Sequence, residues 1–100
     1  MEKLIAKYET IFIISPELDE EATKALVEKF TGLITENGGA VDSVNEWGKR
    51  RLAYPINDLT EGYYVLVNFE SAPEFPKELE RVYGITDGIL RFITVRKDEE

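Results

Sequence analysis

Four stretches dense in β-branched and aromatic residues are interleaved with two helical stripes, in the order strand, helix, strand, strand, helix, strand. In a chain of 100 residues that order leaves few ways to assemble one buried core. The first strand is predicted over 7–14 and stops at Ser15-Pro16, where proline lacks the N–H that a continuing central strand needs. A helix is expected from Asp19 to Asn37, because Ala22, Ala25, Leu26, Phe30, Leu33 and Ile34 recur at three- and four-residue spacing. Asp19 reads as its N-cap, Glu20 and Glu21 complement the positive end of its dipole, and Gly38-Gly39 closes it. A long strand is predicted from Ala40 to Leu52, with Val41, Ser43, Asn45 and Trp47 on one face and Val44 on the other. Pro55 and Asn57-Asp58 mark a break before a third strand over 63–69, and the short separation pairs the two as a hairpin. A second helix is expected over 76–83, with Phe75, Leu79 and Val82 on one face and Gly84 at its end. The last strand is predicted over 88–97, ahead of the acidic end Asp98-Glu99-Glu100.

Right-handed crossovers in both β-α-β units put the two helices on one face of a four-stranded antiparallel sheet and leave the other face open. The expected fold is therefore a ferredoxin-like βαββαβ sandwich of the α+β class, one domain over residues 1–100. A half-covered sheet should alternate apolar and polar residues, yet both rows of these strands are apolar. Tyr8, Thr10, Phe12 and Ile14 form one row, matched by Val65, Val67 and Phe69 and by Leu90, Phe92 and Thr94, with Ile89 opposed to the last group. Assigning Phe12, Val67 and Phe92 to the core sends Ile11, Ile13, Tyr64, Leu66, Ile93 and Val95 to the open face, with Arg91 in the same row. Such a patch is expected to meet a partner.

The chain carries 12 Lys plus Arg against 20 Asp plus Glu, a formal net charge of −8 that counts against nucleic-acid binding through bulk charge. The distribution is uneven. Ser15 to Gly38 holds six acids and two bases, whereas Trp47 to Asn57 holds Lys49, Arg50 and Arg51 with no acid, and Gly88 to Lys97 holds Arg91, Arg96 and Lys97 with no acid. Local clusters of this kind, rather than the average, determine phosphate binding. Lys49-Arg50-Arg51 lies beside Trp47 and Tyr54, a basic run with aromatic neighbours suited to gripping a backbone and stacking bases. Strand alternation divides the three bases between faces, so they cannot all enter one groove.

Other chemistries are poorly served. Absence of cysteine removes disulfides, thiolate metal sites and a cysteine nucleophile, and absence of histidine removes the commonest general base and metal ligand. Gly38-Gly39 follows a helix, the wrong context for a phosphate-cradling loop, and no loop carries an EF-hand pattern. No catalytic residue, metal, cofactor or small-molecule substrate is expected. The longest apolar run, Ile11 to Ile14, is too short for a bilayer, and the start Met1-Glu2-Lys3-Leu4-Ile5-Ala6 lacks the features of a secretory signal. No membrane contact and a cytoplasmic setting are the expectations.

The block Gly48-Lys49-Arg50-Arg51-Leu52-Ala53-Tyr54-Pro55-Ile56 closely resembles the signature of the bacterial small-subunit ribosomal protein six family. Tyr8-Glu9, Leu18-Asp19, Glu61-Gly62-Tyr63-Tyr64 and Ile89-Leu90-Arg91 add matches in the corresponding elements, so the resemblance runs along essentially the whole chain. It implies a ferredoxin-like, non-catalytic component of the small ribosomal subunit. It further implies binding to the central domain of small-subunit ribosomal RNA as a heterodimer with the basic ribosomal protein eighteen. On that footing Arg50, Arg51 and Arg91 are the leading RNA-contact candidates, followed by Lys49, Arg96 and Tyr8. Relatives often carry a longer C-terminal extension, whereas this sequence ends at Glu100 with acids, so docking through a tail is not expected.

Two other functions fit the same topology. One is a regulatory or ligand-binding module that homodimerises through the open sheet face. The other, an independent single-strand RNA binder, is disfavoured because Tyr63 to Phe69 lacks the Lys/Arg-Gly-aromatic pattern of such domains.

Overall fold

A computed structural model describes residues 5–56 and 59–97. Strands β1 (Ala6–Ile14), β2 (Ala40–Ile56), β3 (Leu59–Ser71) and β4 (Ile89–Arg96) form one antiparallel sheet in the order β2-β3-β1-β4. Helices α1 (Glu20–Glu36) and α2 (Phe75–Ile85) make the two crossovers. This is the ferredoxin-like arrangement. The expected break at Asn57-Asp58, the acidic end Asp98-Glu99-Glu100 and the start Met1 to Leu4 lie outside the described residues.

The core forms where one row of sheet residues meets the helices. Tyr8, Thr10 and Phe12 stand opposite Phe69, Val67 and Val65, and all six are buried beneath Val27, Phe30 and Ile34 of α1 and Phe75, Leu79 and Tyr83 of α2. Phe12, Phe30 and Tyr83 pack ring against ring at centroid separations of 4.5–5.3 Å. A hydroxyl chain satisfies the polar groups inside. Tyr83 Oη lies 3.1 Å from Thr10 Oγ1, which also accepts from Thr94 Oγ1 at 3.0 Å.

Helix α1 starts where the capping chemistry places it: Asp19 Oδ1 accepts the Ala22 N–H at 2.8 Å, and Glu20 and Glu21 occupy the first turn. Gly38 leaves the helix at φ +85°, and Gly39 lies so close to β3 that a Cβ there would stand 2.6 Å from the Glu70 carbonyl oxygen. The buried stripe is Thr23, Val27, Phe30 and Ile34, rotated from the expected one, and Ala25 is exposed. Helix α2 continues through Gly84 to Ile85 instead of ending there, and Tyr83 joins Phe75 and Leu79 as its buried face.

The strand register shifts at four places, the last in β2 between Arg51 and Ile56, and the other three re-phase the expected faces. One between Val41 and Ser43 turns Val41 toward the helices, opposite Phe69, so Val41 does not share a face with Ser43 and Asn45. Another, between Glu46 and Gly48, makes Trp47 an extra residue and sets Gly48 at φ +84°. In β4 the pairing jumps from Ile13–Arg91 to Ile14–Ile89, so Leu90 is the extra residue and Ile89 packs on the core, reversing their expected phases. Phe92 faces the helices and stacks on Tyr83 at 5.1 Å, but on this edge strand it remains 38 % exposed and closes the core only in part. Strand β2 runs to Ile56 rather than Leu52, with Pro55 tolerated because β2 is the other edge of the sheet.

Candidate nucleic-acid interface

The basic run lies in β2, where its partners fix which way each side chain points. Lys49 pairs with Tyr63, Arg50 with Gly62 and Arg51 with Glu61, so Arg50 faces the open side while Lys49 and Arg51 face the helix side. Lys49 lines a cleft between the start of α1 and the β2–β3 hairpin, together with Asp19, Glu20, Glu46 and Tyr63. Those carboxylates give Lys49 a local anionic setting. Tyr63 donates to Glu46 Oε1 at 2.7 Å, and the hydrogen bond to that carboxylate, helped by desolvation, raises the Tyr63 phenol above its ordinary value.

On the open side, the far end of the β2–β3 hairpin curls back over the sheet. Leu52 is buried there, and the cause is visible at Gly62. A Cβ at this position would collide with Ile13 Cγ2 and stand 3.4 Å from Leu52 Cδ2. Only glycine leaves room for Leu52 to approach Ile13. Further along β2, Tyr54 meets Arg91 of β4, whose guanidinium carbon lies 4.8 Å from the ring centroid. Trp47, pushed out by its bulge, stacks on Tyr64 with centroids 6.4 Å apart and planes 16° from parallel. The Arg50 Nε–H donates to the Trp47 carbonyl at 3.3 Å.

Arg50 and Arg91 thus share one end of the open face with Trp47, Tyr54 and Tyr64. Among the described residues no carboxylate pairs with either arginine. Arg96 stands opposite Tyr8, on the helix side of the β4 edge and away from this group. Tyr8, also among the expected RNA contacts, is 6 % exposed and stacks on Phe69 at 5.6 Å, because its row is the one the helices cover. It therefore lies apart from Arg50 and Arg91.

The six expected partner residues all lie on the open face, by register. Ile11 stands opposite Leu66 and Ile93, Ile13 opposite Tyr64 and Arg91, and Val95 opposite Glu9. Ile93 and Val95 are 57 % and 45 % exposed, and Ile11, Tyr64 and Leu66 are half-buried. Ile13 is buried, so it supports the face without offering surface to a partner. The other end of the face is polar: Lys97 Nζ donates to Asn68 Oδ1 at 2.7 Å, and Asn68 Nδ2 donates to Ser43 Oγ at 3.0 Å. The pairing of Tyr54 with Arg91 was not foreseen from sequence, since it joins residues at opposite edges of the sheet.

Among the described residues no group of three or more potential ligands could hold a metal ion, and no helix is long and apolar enough to cross a membrane. Residues 7–96 match the family model described as ribosomal protein S6. A small ribosomal subunit protein bS6 of Clostridium novyi is 60 % identical over 92 residues, covering 92 % of this chain and 97 % of that protein. One from Caldanaerobacter subterraneus is 55 % identical over 92 % of this chain and 97 % of its own length. The crystal structure of 30S ribosomal protein S6 from Thermotoga maritima superposes with a TM-score of 0.89 at 36 % identity, covering 94 % of this chain and 89 % of that one. Over nearly its whole length, then, the chain belongs to the ribosomal protein S6 family, structural and non-enzymatic components of the small ribosomal subunit.

Proposed function

We propose that this chain binds the central domain of small-subunit ribosomal RNA together with ribosomal protein eighteen as a heterodimer. The observation that carries the proposal is the division of the open sheet face. Arg50 and Arg91, with aromatic neighbours and no paired carboxylate among the described residues, occupy one end, while exposed Ile93 and Val95 lie along β4. The first arrangement suits phosphate and base contact; the second suits apolar burial against a protein. A basic partner offsets the net charge of −8 that would otherwise oppose approach to RNA. Arg50 and Arg91 are the RNA contacts on this reading, whereas Arg51, Arg96 and Lys49 lie on the opposite side of the sheet and are set aside. Ile11, Leu66, Ile93 and Val95 are the surface for the partner, while Tyr64, stacked on Trp47, belongs with the RNA end.

The test is binding to a central-domain RNA fragment with and without ribosomal protein eighteen. Affinity is expected to rise with the partner present; equal, weak binding in both conditions would sink the cooperative reading. A stable homodimer by light scattering, indifferent to the partner, would favour self-association through the same face.

A further inference from the structure

We infer that Trp47 is a stacking platform for an unpaired RNA base, with Arg50 set beside it to meet the adjoining phosphate. This rests on the RNA-binding reading above and assigns one contact within it. The argument starts from the backbone. Trp47 is the extra residue of a bulge, and the following Gly48 at φ +84° holds a conformation that side-chain-bearing residues rarely adopt. Bulges re-aim a side chain, and here the re-aimed group is the only indole in the chain. Its ring lies nearly parallel to Tyr64, yet 44 % of the residue stays in water. An indole held against a second ring but left open offers a flat apolar surface whose orientation is already fixed.

The charge around it selects the occupant. Arg50 donates its Nε–H to the Trp47 carbonyl, so the guanidinium is anchored to the backbone of the bulge with its terminal N–H groups still able to donate. Glu46, the adjacent carboxylate in sequence, pairs across the strand with Val65 on the helix side and accepts from Tyr63 there. Arg91 lies on the same open face under the ring of Tyr54. Two cations interleaved with three aromatic rings match a nucleotide, which has a π-face and an anionic linkage. The more exposed apolar strip, Ile93 and Val95, lies on β4 at the opposite edge of the sheet, so a protein partner has its own apolar ground to cover.

The single tryptophan makes the contact directly observable. With the full chain, its heterodimer partner and a central-domain RNA fragment, Trp47 emission should be quenched on adding RNA. Trp47→Leu should weaken RNA binding about tenfold, the scale of one lost base stack, while leaving the salt dependence unchanged, and Trp47→Phe should retain most of the affinity. Several results overturn the inference. If RNA binds with unchanged emission and W47L keeps its affinity, Trp47 is no contact, though the proposed function stands. If the partner alone changes the emission and RNA adds nothing, Trp47 is a protein contact. If W47L and W47F lose affinity equally, the indole is structural rather than a stacking surface. Absence of RNA binding with and without the partner removes both this inference and the function it rests on.

Discussion

The Tyr83 hydroxyl lies in the middle of the core, held by Thr10 and enclosed by Phe12, Phe30 and Phe92. Burial raises its phenol well above the ordinary value of 10.0. Above pH 10 the unfolded chain therefore releases a proton that the native chain keeps. The native state binds more protons, so stability falls as pH rises, by up to about 1.4 kcal/mol per pH unit for this one group. Below that pH its contribution is fully present. Tyr83→Phe should cost about 1 kcal/mol at neutral pH through the lost hydrogen bond, yet flatten the alkaline decline. Urea midpoints between pH 7 and 11 check both effects, and an equally steep decline in the variant would refute the assignment. Gly62→Ala belongs to the same scale. Its new Cβ meets Ile13 Cγ2, so it should destabilise by about 1–3 kcal/mol and push Leu52 outward. A denaturant midpoint unchanged from the parent would show that the hairpin end is not seated as described. Neither residue was legible as critical from sequence. Tyr83 is one place beyond Val82 on the helix, and small phase errors of that size exchange core for surface.

At the scale of elements, the parts set by local chemistry were readable and the parts set by an inserted residue were not. The start of α1 follows from Asp19, a side-chain acceptor placed three residues before an N–H with no helical partner. Asp19→Ala should therefore lower stability by about 1 kcal/mol, and Asp19→Asn should recover most of it, as read by thermal or urea unfolding. The faces of β1 and β3 also followed from alternation alone, because these central strands pair without interruption along Ala6 to Ile14. In β2 and β4 each bulge reverses the phase of everything beyond it, and no composition signal marks Asp42 or Leu90 as the extra residue. The seating of the hairpin end leaves no local sequence signal for a different reason: it depends on the space at Gly62 and on a contact across the sheet from Tyr54 to Arg91. Tyr54→Ala should loosen that end, with faster amide exchange at 50–52 and 59–61, while changing global stability by less than about 1 kcal/mol. Unchanged exchange there would mean that Leu52 alone seats the hairpin.

Across the whole molecule, charge is separated by layer as well as by sequence. The outer surface of α1 carries Glu20, Glu21, Glu28 and Glu36 against Lys24 and Lys29, on the side of the sheet opposite Arg50 and Arg91. Lys49 and Arg51 face that same helix side, and Lys49 shares its cleft with Asp19, Glu20 and Glu46. A phosphate backbone approaching the exposed surface of α1 meets mostly acids; one approaching the Arg50–Arg91 end of the open face meets two arginines, with Glu9 and Glu70 at the other end of that face. The three consecutive bases that dominate the sequence motif therefore do not act as a unit. This fixes the ionic character expected of the chain by itself. Two neutralised phosphates give a slope of log affinity against log salt of about −1.4 for single-stranded RNA, and each of Arg50→Ala and Arg91→Ala should reduce it by about 0.7. Lys49→Ala should leave it nearly unchanged. Adding the basic partner should steepen the slope, because the partner then contributes its own phosphate contacts. Titrations of one RNA fragment across a range of salt concentrations measure all of these together. A slope for the chain alone near −3, falling with Lys49→Ala, would place RNA on both sides of β2 and contradict the proposed one-sided approach, which rests on the strand register and the acidic exposed surface of α1.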